Sequence, residues 1–281
     1  EAVAYVAPAQ LRGFDHVAMI RAIAPHTPNL RHVIVSGDAP PGTVSLDAML
    51  RDGARKAGGS ATGGAADAPR PAASDVALFM VSGGTTGLPK LIPHTHDEYA
   101  YIVDISAEAA GLGPESVFLI VLPISHNFSF GTPGALGALS RGATVVLASS
   151  PSPEVAFPLI ERERATNTSA VPAVVIQWLA SPLRERHDLR SLRVVQVGGS
   201  RLSAEVAQRV KPLLGATVQQ VFGMAEGLNN YTRLDDPEDV IFNTQGRPLS
   251  PGDEIMVVRD DGTPVAPGER GELLTRGPYT I

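Results

Sequence analysis

The chain has 281 residues, is 43% hydrophobic and 19% charged, and carries a formal net charge of −6 with acidic and basic residues interleaved. This is globular material with enough apolar content for one or two domains, and its charge balance argues against nucleic acid or a membrane surface as a partner. It contains no cysteine, which excludes disulfides, thiolate metal sites and a cysteine nucleophile and makes a reducing, cytoplasmic setting the expectation.

In chain order, residues 2–7 read as a short strand, FDHVAMIRAIAP as a helix beginning near Asp15, and HVIVS at 32–36 as a second strand. Residues 53–74, GARKAGGSATGGAADAPRPAAS, lose hydrophobic periodicity and cannot bury enough surface to offset their ordering entropy, so a mobile surface loop is expected. An apolar strand follows at 76–81. Beyond it, strand-like runs at 117–122, 144–148, 193–197 and 217–221 alternate with helix-like runs at 153–164, 173–180 and 203–214, the last with Ser203 as N-cap and Glu205 in its first turn. Short Val/Ile-rich strands separated by helices predict an α/β fold with a mostly parallel sheet flanked by helices. EIMVV at 254–258, the Asp261-Gly262 turn and GELLT at 271–275 predict a β-hairpin or small sheet. The expected organisation is the end of a first α/β subdomain at 1–52, the loop at 53–74, an α/β subdomain carrying the sites at 75–242, and the start of a small β subdomain at 243–281.

The strand at 76–81 empties into SGGTTGLPK. There Ser82, Gly83, Gly84, Thr85, Thr86 and Gly87 offer backbone N–H groups and small hydroxyls, and Lys90 follows to meet negative charge, the pattern of a polyphosphate cradle. A flexible turn is the plainer alternative. It is not a Walker A loop, because Leu88 and Pro89 separate Gly87 from Lys90 and no hydroxyl follows the lysine. Three further segments leave strands as polar or glycine-rich loops, and in open α/β sheets ligands gather at the carboxyl ends of strands. In LPISHNFSFGTPG, His126 and Asn127 form either a structural pair or one suited to an aromatic acid bearing a hydroxyl. Gly198-Gly199-Ser200 admits a flat ring close to the backbone, or is a tight turn. In VFGMAEGLNNYTRLDD, Glu226 is either an exposed loop acid or a hard oxygen ligand for Mg²⁺ on ATP phosphates.

In this order and spacing, SGGTTGLPK, LPISHNF, QVGGS and VFGMAEG resemble the phosphate loop, aromatic-gate motif, adenine loop and Mg²⁺-binding motif of the adenylate-forming superfamily of acyl and aryl acid ligases. The stretches QQVFGMAEGLNNYTRLDDPED, LIPHTHDEY, SPSPEVAFPLIERE and NTQGRPLSPGDE are similar to the 2,3-dihydroxybenzoate and salicylate adenylating enzymes of siderophore and peptide-antibiotic assembly, so the resemblance runs over nearly the whole chain. It implies ATP and Mg²⁺, with Ser82 to Gly87 on the β- and γ-phosphates and adenine against Gly198, Gly199 and Ser200. Val221 and Phe222 would floor the nucleotide site, and Gly223, Met224 and Ala225 would complete it. The aryl acid would lie beside His126, Asn127 and Phe128, with Thr132, Gly199, Val221 and Asn229 around it and the Asn127 amide on its ortho hydroxyl. Lys90, Glu226 and His126 are the catalytic candidates. The resemblance also implies transfer of the aryl adenylate to a carrier-protein phosphopantetheine thiol. Family members are about twice this long, so a segment before Glu1 and a mobile domain after Ile281 are expected, the latter with the family's catalytic lysine; the missing initiator methionine agrees.

Two departures bear on the acid. Thr132 stands where the dihydroxybenzoate enzymes usually carry Ser and the salicylate enzymes often carry Cys, and Asn229 stands where Val is usual. An unpaired buried amide costs ~1 to 3 kcal/mol, so Asn229 requires a partner on the ligand or nearby protein. The expectation is an ortho-hydroxy aryl acid with a further polar group, such as 2,3-dihydroxybenzoate, 3-hydroxyanthranilate or 3-hydroxypicolinate, ahead of salicylate. An aryl-CoA ligase, sharing the first half-reaction, and a binding fragment without turnover are the alternatives; a kinase-like P-loop protein is disfavoured by the Leu88-Pro89 interruption.

Overall fold

The computed structural model describes residues 2–57, 70–81 and 89–281. The chain divides into two compact units, Glu1–Arg70 and Pro71–Ile281.

The first unit contains β1 (Ala4–Pro8), a two-residue ribbon of β2 (Gln10–Leu11) and β3 (Phe14–Asp15), α1 (His16–Ile23), β4 (His32–Ser36), β5 (Val44–Ser45) and α2 (Leu46–Ala57). Strands β1, β4 and β5 form a parallel sheet with β4 central. Helix α1 starts where predicted because Asp15 Oδ1 accepts from the Ala18 N–H at 2.8 Å, and this bond holds the Asp15 carboxyl below the usual range. Helix α2 corrects the loop expected from residue 53. Leu, Met, Ala, Arg and Lys are strong helix formers and carry it through Gly53 to Ala57. Residues 58–69 of that expected loop lie outside the described residues.

The second unit opens with β6 (Val76–Val81) and β7 (Leu91–Thr95), an antiparallel pair, followed by α3 (His96–Ala109). Then come β8 (Val117–Ile120), α4 (Asn127–Phe130), α5 (Gly134–Ser140), β9 (Thr144–Leu147), α6 (Pro153–Glu163), β10 (Asn167–Ala170), α7 (Pro172–Ala180), β11 (Val194–Val197), α8 (Ala204–Leu214), β12 (Thr217–Gly223), β13 (Asn229–Tyr231), α9 (Glu238–Asn243), β14 (Arg247–Pro248), β15 (Glu254–Val258) and β16 (Glu272–Arg276). Among the described residues a seven-stranded sheet runs in the order β14-β13-β12-β11-β10-β8-β9. The five strands from β12 to β9 are parallel, and β13 and β14 are antiparallel additions. This is the predicted α/β architecture.

Strand alternation sends side chains to two faces. Leu119, Val195, Val197 and Val218 pack with Phe157 and Ile160 of α6, Trp178 of α7 and Val210 of α8. Phe118 and Ile120 face the opposite way, into a cluster with Ala107 of α3, its C-cap Ala110, and Ala135 and Ala138 of α5. Strand β10, sequence NTSA, was not predicted because it has no apolar run, yet it is buried at the centre of the sheet. Its polar side chains are tolerated because they are paired. Asn167 Nδ2 donates to the Ala110 carbonyl at 3.1 Å, Thr168 Oγ1 to the Leu119 carbonyl at 2.8 Å, and Ser169 Oγ to Gln196 Oε1 at 3.1 Å. The ladder continues as Gln196 Nε2 donates to Gln219 Oε1 at 2.9 Å, while Gln219 Nε2 reaches the Ala109 and Thr232 carbonyls at 2.8 and 2.9 Å.

Strands β15 and β16 pair antiparallel, with Glu254 opposite Arg276 and ion-paired to it at 2.7 Å. The Asp261-Gly262 turn is present, with Gly262 at φ +81°, but it returns the chain to a bridge between Pro264 and Val258 rather than directly into β16. Among the described residues no helix is long and apolar enough to cross a membrane.

Candidate nucleotide and acid site

Because β8, β10, β11 and β12 are parallel, their carboxyl ends share one edge of the sheet. The segments leaving three of them carry His126 to Phe128, Gly198 to Ser200, and Met224 to Glu226, with Phe222 near the end of β12. The cradle residues Ser82, Gly83, Gly84, Thr85, Thr86 and Gly87 lie outside the described residues; Lys90 is exposed, immediately before β7.

Phe128, Gly198 and Val221 converge. Phe128 is buried, and a Cβ added at Gly198 would stand 3.0 Å from its Cε1 and 3.3 Å from the Val221 carbonyl oxygen. Glycine at 198 thus permits the close approach of an aromatic ring, which a side chain there would have to displace by a few tenths of an ångström. Gly199 is required by its backbone, at φ +79°. Ser200 follows, exposed.

His126 caps α4: its Nδ1 accepts from the Phe128 N–H at 3.1 Å, which places the imidazole proton on Nε2. Asn127 is fixed from the other side, where its Oδ1 accepts from the Tyr99 hydroxyl at 2.8 Å. Burial pushes the Tyr99 phenol up, so it stays a protonated donor, and the Asn127 amide retains its two N–H groups for another acceptor. Thr132 is buried; its carbonyl accepts from the Tyr231 hydroxyl at 2.7 Å.

Asn229, also buried, has its partner on the protein. Its Nδ2 donates to the Gly227 carbonyl at 2.9 Å, closing the turn between β12 and β13. Its Oδ1 faces Gly223, where an added Cβ would lie 2.3 Å away. The protein itself thus meets one of the amide's two N–H groups, so burial of Asn229 does not by itself call for a further polar group on the acid.

Glu226 is exposed, and its carboxylate makes no hydrogen bond or ion pair among the described residues. Its backbone is held: its carbonyl accepts from the Ile281 N–H at 3.1 Å, and the preceding Ala225 carbonyl accepts from His94 Nε2 at 2.8 Å. The turn between them is closed by the Met224 N–H on the Leu228 carbonyl at 3.2 Å. No cluster of three or more His, Cys, Asp or Glu exists among the described residues. A divalent ion here would take one protein carboxylate and complete its shell with phosphates and water, which is how Mg²⁺ is held on nucleotides; an uncommitted carboxylate on a pinned backbone fits that demand.

Sequence reasoning missed Tyr99, His94 and Tyr231 as supports of this site. They act on partners 28, 131 and 99 residues away, separations at which no local spacing signals a contact.

The family model described as AMP-binding enzyme matches residues 1–281. A 2,3-dihydroxybenzoate-AMP ligase of Bacillus subtilis (strain 168) is 48% identical over 281 residues, covering 100% of this chain and 50% of its own length. A salicyl-AMP ligase / salicyl-S-ArCP synthetase of Mycobacterium tuberculosis (strain ATCC 25618 / H37Rv) is 50% identical over 269 residues, covering 96% of this chain and 46% of its own. Among solved structures, that of apo MbtA from Mycobacterium smegmatis matches with a TM-score of 0.86 and 44% identity, over 100% of this chain and 49% of that one. The chain thus spans about half the length of the relatives it matches.

Proposed function

We propose, from the premise that this chain belongs to the AMP-binding enzyme family, that it serves ATP-dependent activation of an ortho-hydroxy aryl acid to an aryl adenylate, followed by transfer to a carrier-protein phosphopantetheine thiol. The observation that carries this reading is the convergence of Phe128, Gly198 and Val221 beside Asn127 at the carboxyl edge of the sheet. Glycine backbone closely approaches the Phe128 ring here, and Asn127, next to Phe128 in the chain, offers an amide held by Tyr99, a pairing that suits an aromatic ring carrying a hydroxyl. The relatives named for 2,3-dihydroxybenzoate and salicylate support the same substrate class.

The chemistry asks little of acid–base groups. A carboxylate with a pKa of ~4 is ionised at neutral pH, so one of its oxygens attacks the α-phosphorus of ATP without a general base and pyrophosphate leaves with the electron pair of the broken P–O bond. The thiol then attacks the acyl carbon and AMP departs. What the protein supplies is positioning and charge neutralisation. Asn127, locked by Tyr99, orients the ring through its hydroxyl. Gly198, Gly199 and Ser200 form the wall for adenine, with Val221 and Phe222 beneath. Lys90 and the segment from Ser82 to Gly87 receive the β- and γ-phosphates. Glu226 would hold Mg²⁺, which when bound neutralises charge on the phosphates.

The test is a calorimetric titration of 2,3-dihydroxybenzoate, 3-hydroxyanthranilate, 3-hydroxypicolinate and salicylate, with and without Mg-ATP, beside an aryl-adenosine sulfamoyl mimic of the adenylate. Tight binding of the mimic with one ring preferred supports the reading; equal indifference to all rings and to the mimic sinks it. Offering coenzyme A against a carrier protein as acceptor separates carrier loading from CoA ligation.

A further inference from the structure

His94 offers no group to the nucleotide or the acid in the site set out above, yet it is buried and both of its ring nitrogens are committed. Nε2 donates to the Ala225 carbonyl at 2.8 Å, and Nδ1 bonds the Glu98 carboxylate on α3. Its ring packs 5.7 Å from that of Tyr99, the residue that fixes Asn127. A carbonyl oxygen can only accept, so Nε2 must carry a proton, and the Glu98 contact fixes the ring plane from its other edge. The imidazole is therefore a two-ended brace between β7, which starts next to Lys90, and the turn that presents Glu226. Nothing on the Glu226 side chain itself restrains it, so its position depends on the backbone to which His94 is attached.

We infer that His94 is a positioning residue for the nucleotide–metal part of the site: by holding the Ala225 carbonyl it sets where the Glu226 carboxylate stands. This rests on the proposed function above. A group that orients a ligating residue without touching the metal commonly changes metal affinity by ~10- to 100-fold when removed.

The experiment uses the full-length protein carrying this sequence and measures calorimetric affinity for Mg-ATP, for ATP in EDTA and for the aryl acid, with a thermal melt for each variant. His94→Leu is expected to weaken Mg-ATP binding about tenfold and to leave metal-free ATP and aryl acid binding within about twofold. His94→Gln, which keeps a donor for Ala225, is expected to restore most of the loss. Glu98→Gln, which retains the Ala225 contact and loosens only the other end, is expected to give a smaller loss of the same kind, and this variant decides if His94→Leu does not fold. Unchanged Mg-ATP affinity in the folded variants, or equal losses for all three ligands, overturns the inference. A wild-type protein that binds no Mg-ATP would overturn the proposed function itself, and the inference with it.

Discussion

The Tyr99 hydroxyl donates to Asn127 Oδ1 at 2.8 Å, joining α3 to the first residue of α4 and deciding which end of the Asn127 amide is left for a ligand. Tyr99→Phe removes that bond and lets the amide rotate. The expected result is a rise of about three- to tenfold in KM for the aryl acid, the equivalent of ~1 kcal/mol, with KM for ATP unchanged. Because burial pushes the Tyr99 phenol up, the size of the effect should stay constant from neutral to mildly alkaline pH. Steady-state kinetics with each substrate varied in turn checks both points.

Gly198→Ala places a methyl group 3.0 Å from the Phe128 ring and 3.3 Å from the Val221 carbonyl. The ring must shift by a few tenths of an ångström, and in the proposed arrangement Phe128 borders the acid. Binding of the aryl-adenosine sulfamoyl mimic should weaken by about tenfold, while the melting temperature moves by a few degrees at most, an overpacking cost of ~1 kcal/mol. Calorimetry beside a thermal melt separates the two; unchanged mimic binding would mean that Phe128 does not border the acid.

Much of this was legible in the sequence, for identifiable reasons. The strands at 117–122, 193–197 and 217–221 announce themselves by short Val/Ile-rich runs, and Ser203 caps α8 as predicted by accepting from the Val206 N–H. His126, Asn127, Gly198 and Glu226 could be singled out because each breaks the character of its surroundings in a segment that follows a strand, whereas Phe128 entered only through the family resemblance. Strand β10 was illegible because Asn167, Thr168 and Ser169 are buried through pairing with residues far away rather than through hydrophobicity. Asn229 was legible in part, since a partner on the ligand or on nearby protein was expected and the protein supplies one. Its burial was anticipated, but its partner, the Gly227 carbonyl two residues back, follows from the conformation of the turn, which a residue pattern does not specify.

The buried glutamine ladder should be costly to break. Gln219→Leu strands Gln196 Nε2 and the Ala109 and Thr232 carbonyls, all of which now have Gln219 as a partner. Unfolding free energy should fall by about 2–4 kcal/mol, at ~1–3 kcal/mol for each buried group left unsatisfied and some relief by relaxation. Urea titration measures it, and a midpoint equal to that of the wild type would contradict the ladder's role.

Asp253 gives the pH dependence a sign. Burial pushes its carboxyl above the ordinary value of 3.8, outweighing the bond it accepts from the Tyr279 hydroxyl at 2.5 Å. The folded state therefore holds this proton more tightly than the unfolded state does. The contribution of Asp253 to stability is complete below pH 3.8 and declines as pH rises through the raised folded value. Asp253→Asn keeps an acceptor for Tyr279 and removes the charge, so it should flatten the stability–pH curve above ~4 and be no less stable than wild type at neutral pH. Chemical denaturation at a series of pH values reads this directly.

The most direct test of the account is acid-dependent exchange of labelled pyrophosphate into ATP, catalysed by the full-length protein carrying this sequence. The account predicts exchange that requires Mg²⁺, is supported by ortho-hydroxy aryl acids, falls with benzoate, and is weakened selectively for the acid by Tyr99→Phe. Exchange supported equally by aliphatic acids, or none with any aryl acid from a folded protein that binds Mg-ATP, would contradict it.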